Sequence, residues 1–212
     1  MTFNEFHNSM ISLVVFSYDD INTIFGGIDR RRIYEWRNKG YITQLIKGYY
    51  IFSEFLETES IGLLISNKIN SPSYLSLEYV MSTGGLIPES VYSYTAVTTK
   101  KTTVYDTMPG TFVYRSIKPD LFLGYSLYNI KINLSGRVLD RYVKVACLEK
   151  AFFDFLYLNR PGVKNREIDD YRFESGLLKR MDKNKLFGYA ELSGNDAVTR
   201  RLDKILKHHA VY

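Results

Sequence analysis

The sequence predicts an α+β protein in two unequal parts. A small helical unit closed by a β-hairpin comes first; a larger part follows, in which helices pack an antiparallel or mixed sheet and continue as a helical C-terminal extension. Three observations predict this. Helix-period apolar spacing with capping residues fills the first forty residues, runs rich in Val, Ile, Thr and Tyr fill residues 92–145, and helical spacing returns from residue 146. At 212 residues, 45% apolar and 24% charged, the chain can bury a sizeable core and has a globular composition.

Phe3, Phe6, Met10, Leu13 and Val14 recur at three- and four-residue intervals, which predicts one amphipathic helix over 3–16. Ser17 followed by Asp20 is a variant capping box for a short second helix with Ile21, Ile24 and Phe25 on its apolar side, ended by Gly26-Gly27. Asp29 is a good N-cap for a third helix to Asn38 or Lys39, with Gly40 as its stop. Two β-prone runs, Tyr41–Ile46 and Tyr49–Phe52, flank a Lys47-Gly48 turn and predict a hairpin. Helix, helix, short turn, helix, hairpin is the order of a winged helix-turn-helix, whose third helix enters the DNA major groove.

A helix over 60–68 and a break at Asn70-Ser71-Pro72-Ser73 place a boundary within 55–72, giving units 1–56 and 57–212. A short helix over 75–82 precedes Gly84-Gly85. Strands are then expected over 92–99, 102–107, 111–117, 127–133 and 138–145. Short separators at Lys100-Lys101, Pro109-Gly110 and Ser135-Gly136 predict antiparallel neighbours. Helix 146–159 is expected to cover the sheet with Leu148, Phe152 and Phe155, leaving Lys150 and Asp154 four apart on its other side. After Pro161-Gly162 the tail, from about residue 160, reads as two or three amphipathic helices, the last over 195–208.

Charge changes sign abruptly along the first unit. Residues 1–28 hold three acids and no Lys or Arg, whereas residues 29–47 hold six Lys or Arg against two acids. On a helical wheel Ile33, Trp36 and Gly40 face inward, and Arg31, Tyr34, Glu35 and Asn38 face outward, flanked by Arg30 and Lys39. Three consecutive cations in a first helical turn meet the positive end of the helix dipole, at a cost of about 0.3–1 kcal/mol each at exposed sites. An anionic partner offsets that cost, and Arg and Asn can read guanine and adenine edges bidentately. The candidate DNA contacts are therefore Arg30, Arg31, Arg32, Tyr34, Arg37, Asn38, Lys39 and, at the hairpin tip, Lys47. A solvated basic surface is the other role open to the Arg run; Tyr34 suits a phosphate contact, a base contact or plain surface.

Residues 37–42 with 45–50 resemble the wing region "R-x-x-G-x-(apolar)…L-x-x-G-x-Y" of AbiEi-type abortive-infection antitoxins. The run Tyr74-Leu75-Ser76-Leu77-Glu78-Tyr79 to Gly84-Gly85-Leu86-Ile87-Pro88 is similar to that family's "S-x-x-(S/A)-L…hG-L-I-P" helix, and residues 145–154 to its "A-x-x-E-K-A-h-x-D" helix. The likeness covers most of residues 20–160. It implies a type IV toxin–antitoxin arrangement: an antitoxin that represses its own promoter through double-stranded DNA and opposes a nucleotidyltransferase toxin. The resemblance singles out Glu149, Lys150 and Asp154 as a functional face. A helix face fixed by a Lys–Asp pair over an apolar core is the alternative.

Other function classes lack their signatures. The three histidines, His7, His208 and His209, lie at opposite ends of the chain, and no P-loop or strand-borne G-x-G-x-x-G occurs. No Asp or Glu is followed two positions later by Lys, which removes the simplest metal-dependent nuclease pattern. No catalytic residue, metal or cofactor is expected. The first apolar run, 10–16, is far shorter than a membrane span, and the start has no basic n-region, so neither membrane nor export is expected. The single Cys147 suits a reducing cytoplasm.

Overall fold

The computed structural model describes residues 1–134, 137–159 and 172–209 as a mixed α+β chain; the expected turn at Ser135-Gly136 and the Pro161-Gly162 start of the expected helical tail lie outside them. Helix α1 (Phe3–Met10) opens on a Thr2–Glu5 capping box and buries Phe6 and Met10. It ends six residues before the expected limit. After a 3-10 turn, Val14 adopts φ +63° and the chain enters strand β1 (Val15–Ser17). The β-branched run is taken up by pairing: Val15, Phe16 and Ser17 lie opposite Ile51, Tyr50 and Tyr49. That partner was invisible to a local helical period.

The next elements follow their caps. In α2 (Tyr18–Phe25) the Ser17–Asp20 box is formed and Gly26 closes the helix in the left-handed region. Asp29 caps α3 (Arg30–Asn38), whose Ile33 and Trp36 are buried, and β2 (Ile42–Ile46) returns as β3 (Tyr49–Phe52). The three strands form an antiparallel sheet in the order β1-β3-β2.

Helix α4 (Ile61–Ile69) connects the two parts physically. Its Ile61, Leu64, Ile65 and Ile69 join Phe6, Trp36 and Phe55 on one side and Ala96, Phe112, Tyr114 and Ile132 on the other, so one apolar cluster crosses residues 56–57. At Gly62 the helix lies directly against the sheet: a Cβ there would fall 2.0 Å from Cζ of Tyr94.

The larger sheet contains β4 (Ser73–Leu75), β5 (Tyr94–Thr98), β6 (Thr103–Thr107), β7 (Gly110–Ser116), β8 (Tyr125–Leu134) and β9 (Arg137–Ala146), in the order β6-β7-β5-β4-β9-β8. Five of these lie where strands were expected. Of the three antiparallel neighbours expected, β6 with β7 and β8 with β9 are found, and one differs. The short Lys100-Lys101 link does not make a hairpin: β7 inserts between β5 and β6, pairing parallel with β5 and antiparallel with β6. Strand β4, too short to show a period, completes the sheet by pairing antiparallel with β5 and parallel with β9.

Helices α5 (Leu77–Thr83) and α6 (Leu148–Leu158) cover the sheet face opposite α4. Helices α7 (Ser175–Arg180), α8 (Lys183–Ser193) and α9 (Asp196–His208) pack on them. Leu178, Leu186, Ala190, Val198, Leu202 and Leu206 share a core with Phe152 and Phe155, so the tail is part of the fold's interior. Helix α6 has no solvated polar side at Lys150 and Asp154. Both are fully buried, because α8 and the β4–α5 segment cover the side read as exposed.

Candidate nucleic-acid interface

The candidate site is built on α3. Arg31 N–H donates to Asp29 Oδ1 at 2.9 Å, starting the helix, and Gly40 at φ +73° lets the chain turn directly into β2. Trp36 anchors the inner side, with ring centroids 4.5 Å from Phe6 and 5.5 Å from Phe3. With Ile33 and Trp36 held inside, the other α3 side chains lie on the outer side of the helix. Arg30, Arg31, Arg32, Tyr34, Arg37, Asn38 and Lys39 are all exposed, and so is Lys47 at the hairpin turn.

Their outer arrangement is fixed by side-chain contacts. Arg37 Nη1 donates to Gln44 Oε1 at 2.6 Å, tying α3 to β2, and the Arg37 guanidinium lies 5.4 Å from the Tyr34 ring. At the other end of the helix Arg30 lies 5.4 Å from the Tyr18 ring, whose hydroxyl donates to the Ile28 carbonyl at 3.1 Å. Between α3 and the hairpin runs an open groove of about 320 Å³, lined by Arg30, Tyr34, Arg37, Lys47, Tyr18 and Tyr50 among others. Three cations thus share one surface with three phenol rings. Such a surface suits a phosphate-bearing polymer, since guanidinium and ammonium groups neutralise phosphates while Tyr hydroxyls donate to them.

Four of the eight expected contacts, Arg30, Tyr34, Arg37 and Lys47, come together in this groove. Arg31, Asn38 and Lys39 are exposed on α3 outside its lining. Arg32 is likewise exposed on α3 outside that lining. Tyr18 and Tyr50 belong to the site and were not anticipated. The sequence holds a trace of them, one Tyr at the start of α2 and one beside the Lys47-Gly48 turn, but only the β1–β3 pairing brings them together.

In the larger part, Lys150 Nζ donates to Asp154 Oδ1, while Asp154 Oδ2 accepts from the Tyr74 hydroxyl at 2.9 Å and the Ser76 hydroxyl at 2.8 Å. The ammonium also lies 5.1–5.7 Å from the rings of Phe153, Tyr74 and Tyr189. Burial pushes the Asp154 carboxyl above its usual range and the Lys150 ammonium below its own, and their mutual attraction opposes both shifts. Burial also raises the Tyr74 phenol and the Cys147 thiol. Glu149 is half-buried and accepts the Asp182 N–H at 3.3 Å. The three charged residues therefore do not share one exposed face: two of them bind β4, α5 and α6 together from within.

Among the described residues no group of three or more His, Cys, Asp or Glu side chains is placed to hold a metal ion, and no helix is long and apolar enough to cross a membrane. No protein-family model matches the chain, and no curated protein matches its sequence.

Proposed function

We propose that this chain is a winged helix-turn-helix regulator that binds double-stranded DNA at its own promoter, and that it is the antitoxin of a type IV, phage-defence toxin–antitoxin pair whose toxin is a nucleotidyltransferase. The observation that carries the DNA reading is the groove where Arg30, Arg37 and Lys47 converge with three tyrosines beside an exposed α3. In this reading α3 lies in the major groove, where Arg31 and Asn38 reach base edges, while Lys47 and Arg30 take phosphates. The cations that burden the helix N-terminus in the free protein meet their compensation in the complex.

The antitoxin reading rests on resemblance in three stretches, at 37–50, 74–88 and 145–154. Burial of Lys150 and Asp154 favours a second reading for the larger part: a scaffold that carries a regulator or a protein-interaction module without antitoxin activity, with the charged pair serving the core.

Two experiments test the readings separately. A gel shift on DNA directly upstream of the chain's own reading frame is expected to give a specific complex that survives random-sequence competitor and is lost on Arg30→Ala with Arg31→Ala; no complex at low salt overturns the DNA reading. Co-expression with an adjacent nucleotidyltransferase-like reading frame is expected to rescue growth, and persistent toxicity overturns the antitoxin reading alone.

A further inference from the structure

On the sheet face opposite α4, β5 and β7 floor an open cleft of about 580 Å³ whose walls are the start of α5 and the segment 87–92. Alternation along β7 builds it. Phe112 and Tyr114 point into the core shared with α4, so Val113 and Arg115 take the other face and reach the cleft. The volume lies within the usual range of small-molecule sites. Leu77, Ile87, Val91 and Val113 form the apolar part. Leu77 opens α5 at φ +59°, a left-handed conformation that is uncommon outside glycine and is held only where the surrounding structure requires it.

The charged groups on the cleft are Glu78, Glu89 and Arg115. Arg115 is already committed. Its Nη2 donates to the Leu158 carbonyl at 2.8 Å and its Nη1 to Asn159 Oδ1 at 3.4 Å, which turns the guanidinium onto the C-terminal end of α6, where the helix dipole favours a cation. Glu89 has no such counterpart. The Ser82 hydroxyl donates to its backbone carbonyl at 2.7 Å and holds the chain there. Among the described residues, however, its carboxylate makes no ion pair, and Oε2 is screened from solvent without a hydrogen-bond donor. A carboxylate that has lost part of its hydration and gained no partner is costly, and a cation entering the cleft offsets that cost. Tyr92, on the same lining, is 92% exposed, and the face of a phenol ring attracts cations. We infer that this cleft binds an organic cation on an apolar stem, an alkylammonium or alkylguanidinium group. The head lies at Glu89 and Tyr92, and the stem covers Leu77, Ile87, Val91 and Val113. The site is separate from the α3 groove, since every residue on it belongs to the larger part of the chain.

Methyl NMR titrations of the full chain test this with three probes that share one stem: hexylamine, hexanol and hexanoate. Hexylamine is expected to saturate with a roughly millimolar dissociation constant and to shift the methyls of Leu77, Val91 and Val113. Hexanol should bind about tenfold more weakly or worse, and hexanoate should not bind. Glu89→Gln keeps the shape and removes the charge, so it should weaken hexylamine by about tenfold while leaving hexanol unchanged. Tyr92→Ala should weaken hexylamine by a smaller factor. A capped lysine, Nα-acetyl-lysine methylamide, separates the sources of such a cation. Binding as tight as that of hexylamine assigns the cleft to a basic side chain of a protein partner, and markedly weaker binding assigns it to a free amine. No saturable shift at these methyls with hexylamine or capped lysine, hexanol or hexanoate binding as well as hexylamine, or an affinity for hexylamine indifferent to Glu89→Gln overturns the inference.

Discussion

The Arg37 guanidinium is held from two sides, by a 2.6 Å hydrogen bond to Gln44 Oε1 and by the Tyr34 ring 5.4 Å away. It is thereby presented in one orientation at the junction of α3 and β2, where a free arginine would sample many. Loss of rotamer freedom occurs in the free protein and so weighs less on binding. Arg37→Ala is therefore expected to weaken DNA binding by about 1–3 kcal/mol, and Gln44→Ala by less, since it releases the arginine without removing it. Both should leave the melting temperature nearly unchanged, as exposed substitutions commonly stay within about 0.5 kcal/mol. Fluorescence anisotropy with labelled upstream DNA, paired with thermal melts, checks the split.

Trp36 does the opposite job. Packed against Phe6 and Phe3 and 3% exposed, it fixes which side of α3 faces out. Trp36→Ala should cost about 3–5 kcal/mol of stability, read as a lower urea midpoint.

The buried Lys150–Asp154 pair gives a pH-dependent prediction. Removing one partner, as in Lys150→Met, leaves an uncompensated buried charge and should destabilise by about 3–5 kcal/mol; Lys150→Met with Asp154→Leu should recover most of that. The sign follows from the directions of the shifts. A carboxyl raised on folding costs stability above its folded-state pKa, and that cost vanishes as pH falls to the usual carboxylate range. An ammonium lowered on folding costs stability below its folded-state pKa, and that cost vanishes as pH rises to the usual lysine range. The wild type should therefore gain on the double variant towards both extremes and compare least well between them. Urea melts of the two proteins across pH measure the difference.

Gly62 tests the contact between α4 and the sheet. A methyl at this position falls on the Tyr94 ring, which stacks on Phe112 with centroids 5.1 Å apart. Gly62→Ala should destabilise by about 1–3 kcal/mol despite its better helix propensity, and Tyr94→Leu in the same chain should relieve part of the loss. A melt showing that Gly62→Ala stabilises the protein would contradict the packing described for α4.

What was legible in the sequence depended on whether the deciding partner is near in the chain. The Ser17–Asp20 box, the Asp29 cap and Gly40 act within a few residues, and the elements they bound lie where expected. Strand β1 hides at the end of a helical period because its partner, β3, is more than thirty residues away. For the same reason Lys100-Lys101 looked like a hairpin turn until β7 took the place beside β5. Half of the expected groove residues come together because α3 carries most of them. Tyr18 and Tyr50 escaped because they reach the site from other elements. Lys150 and Asp154, spaced like a solvated pair, are buried by Tyr74, Ser76 and Tyr189, which no local pattern connects to α6.

The central claim, that α3 and the hairpin turn grip DNA, is tested most directly by a salt series. Affinity for the upstream duplex should fall linearly in log–log form as salt rises, because each neutralised phosphate releases counterions. Arg30→Ala and Lys47→Ala should each reduce that slope by about one, while the Glu149→Gln variant leaves it unchanged. Binding that ignores salt, or a slope untouched by Arg30→Ala and Lys47→Ala together, would contradict the account.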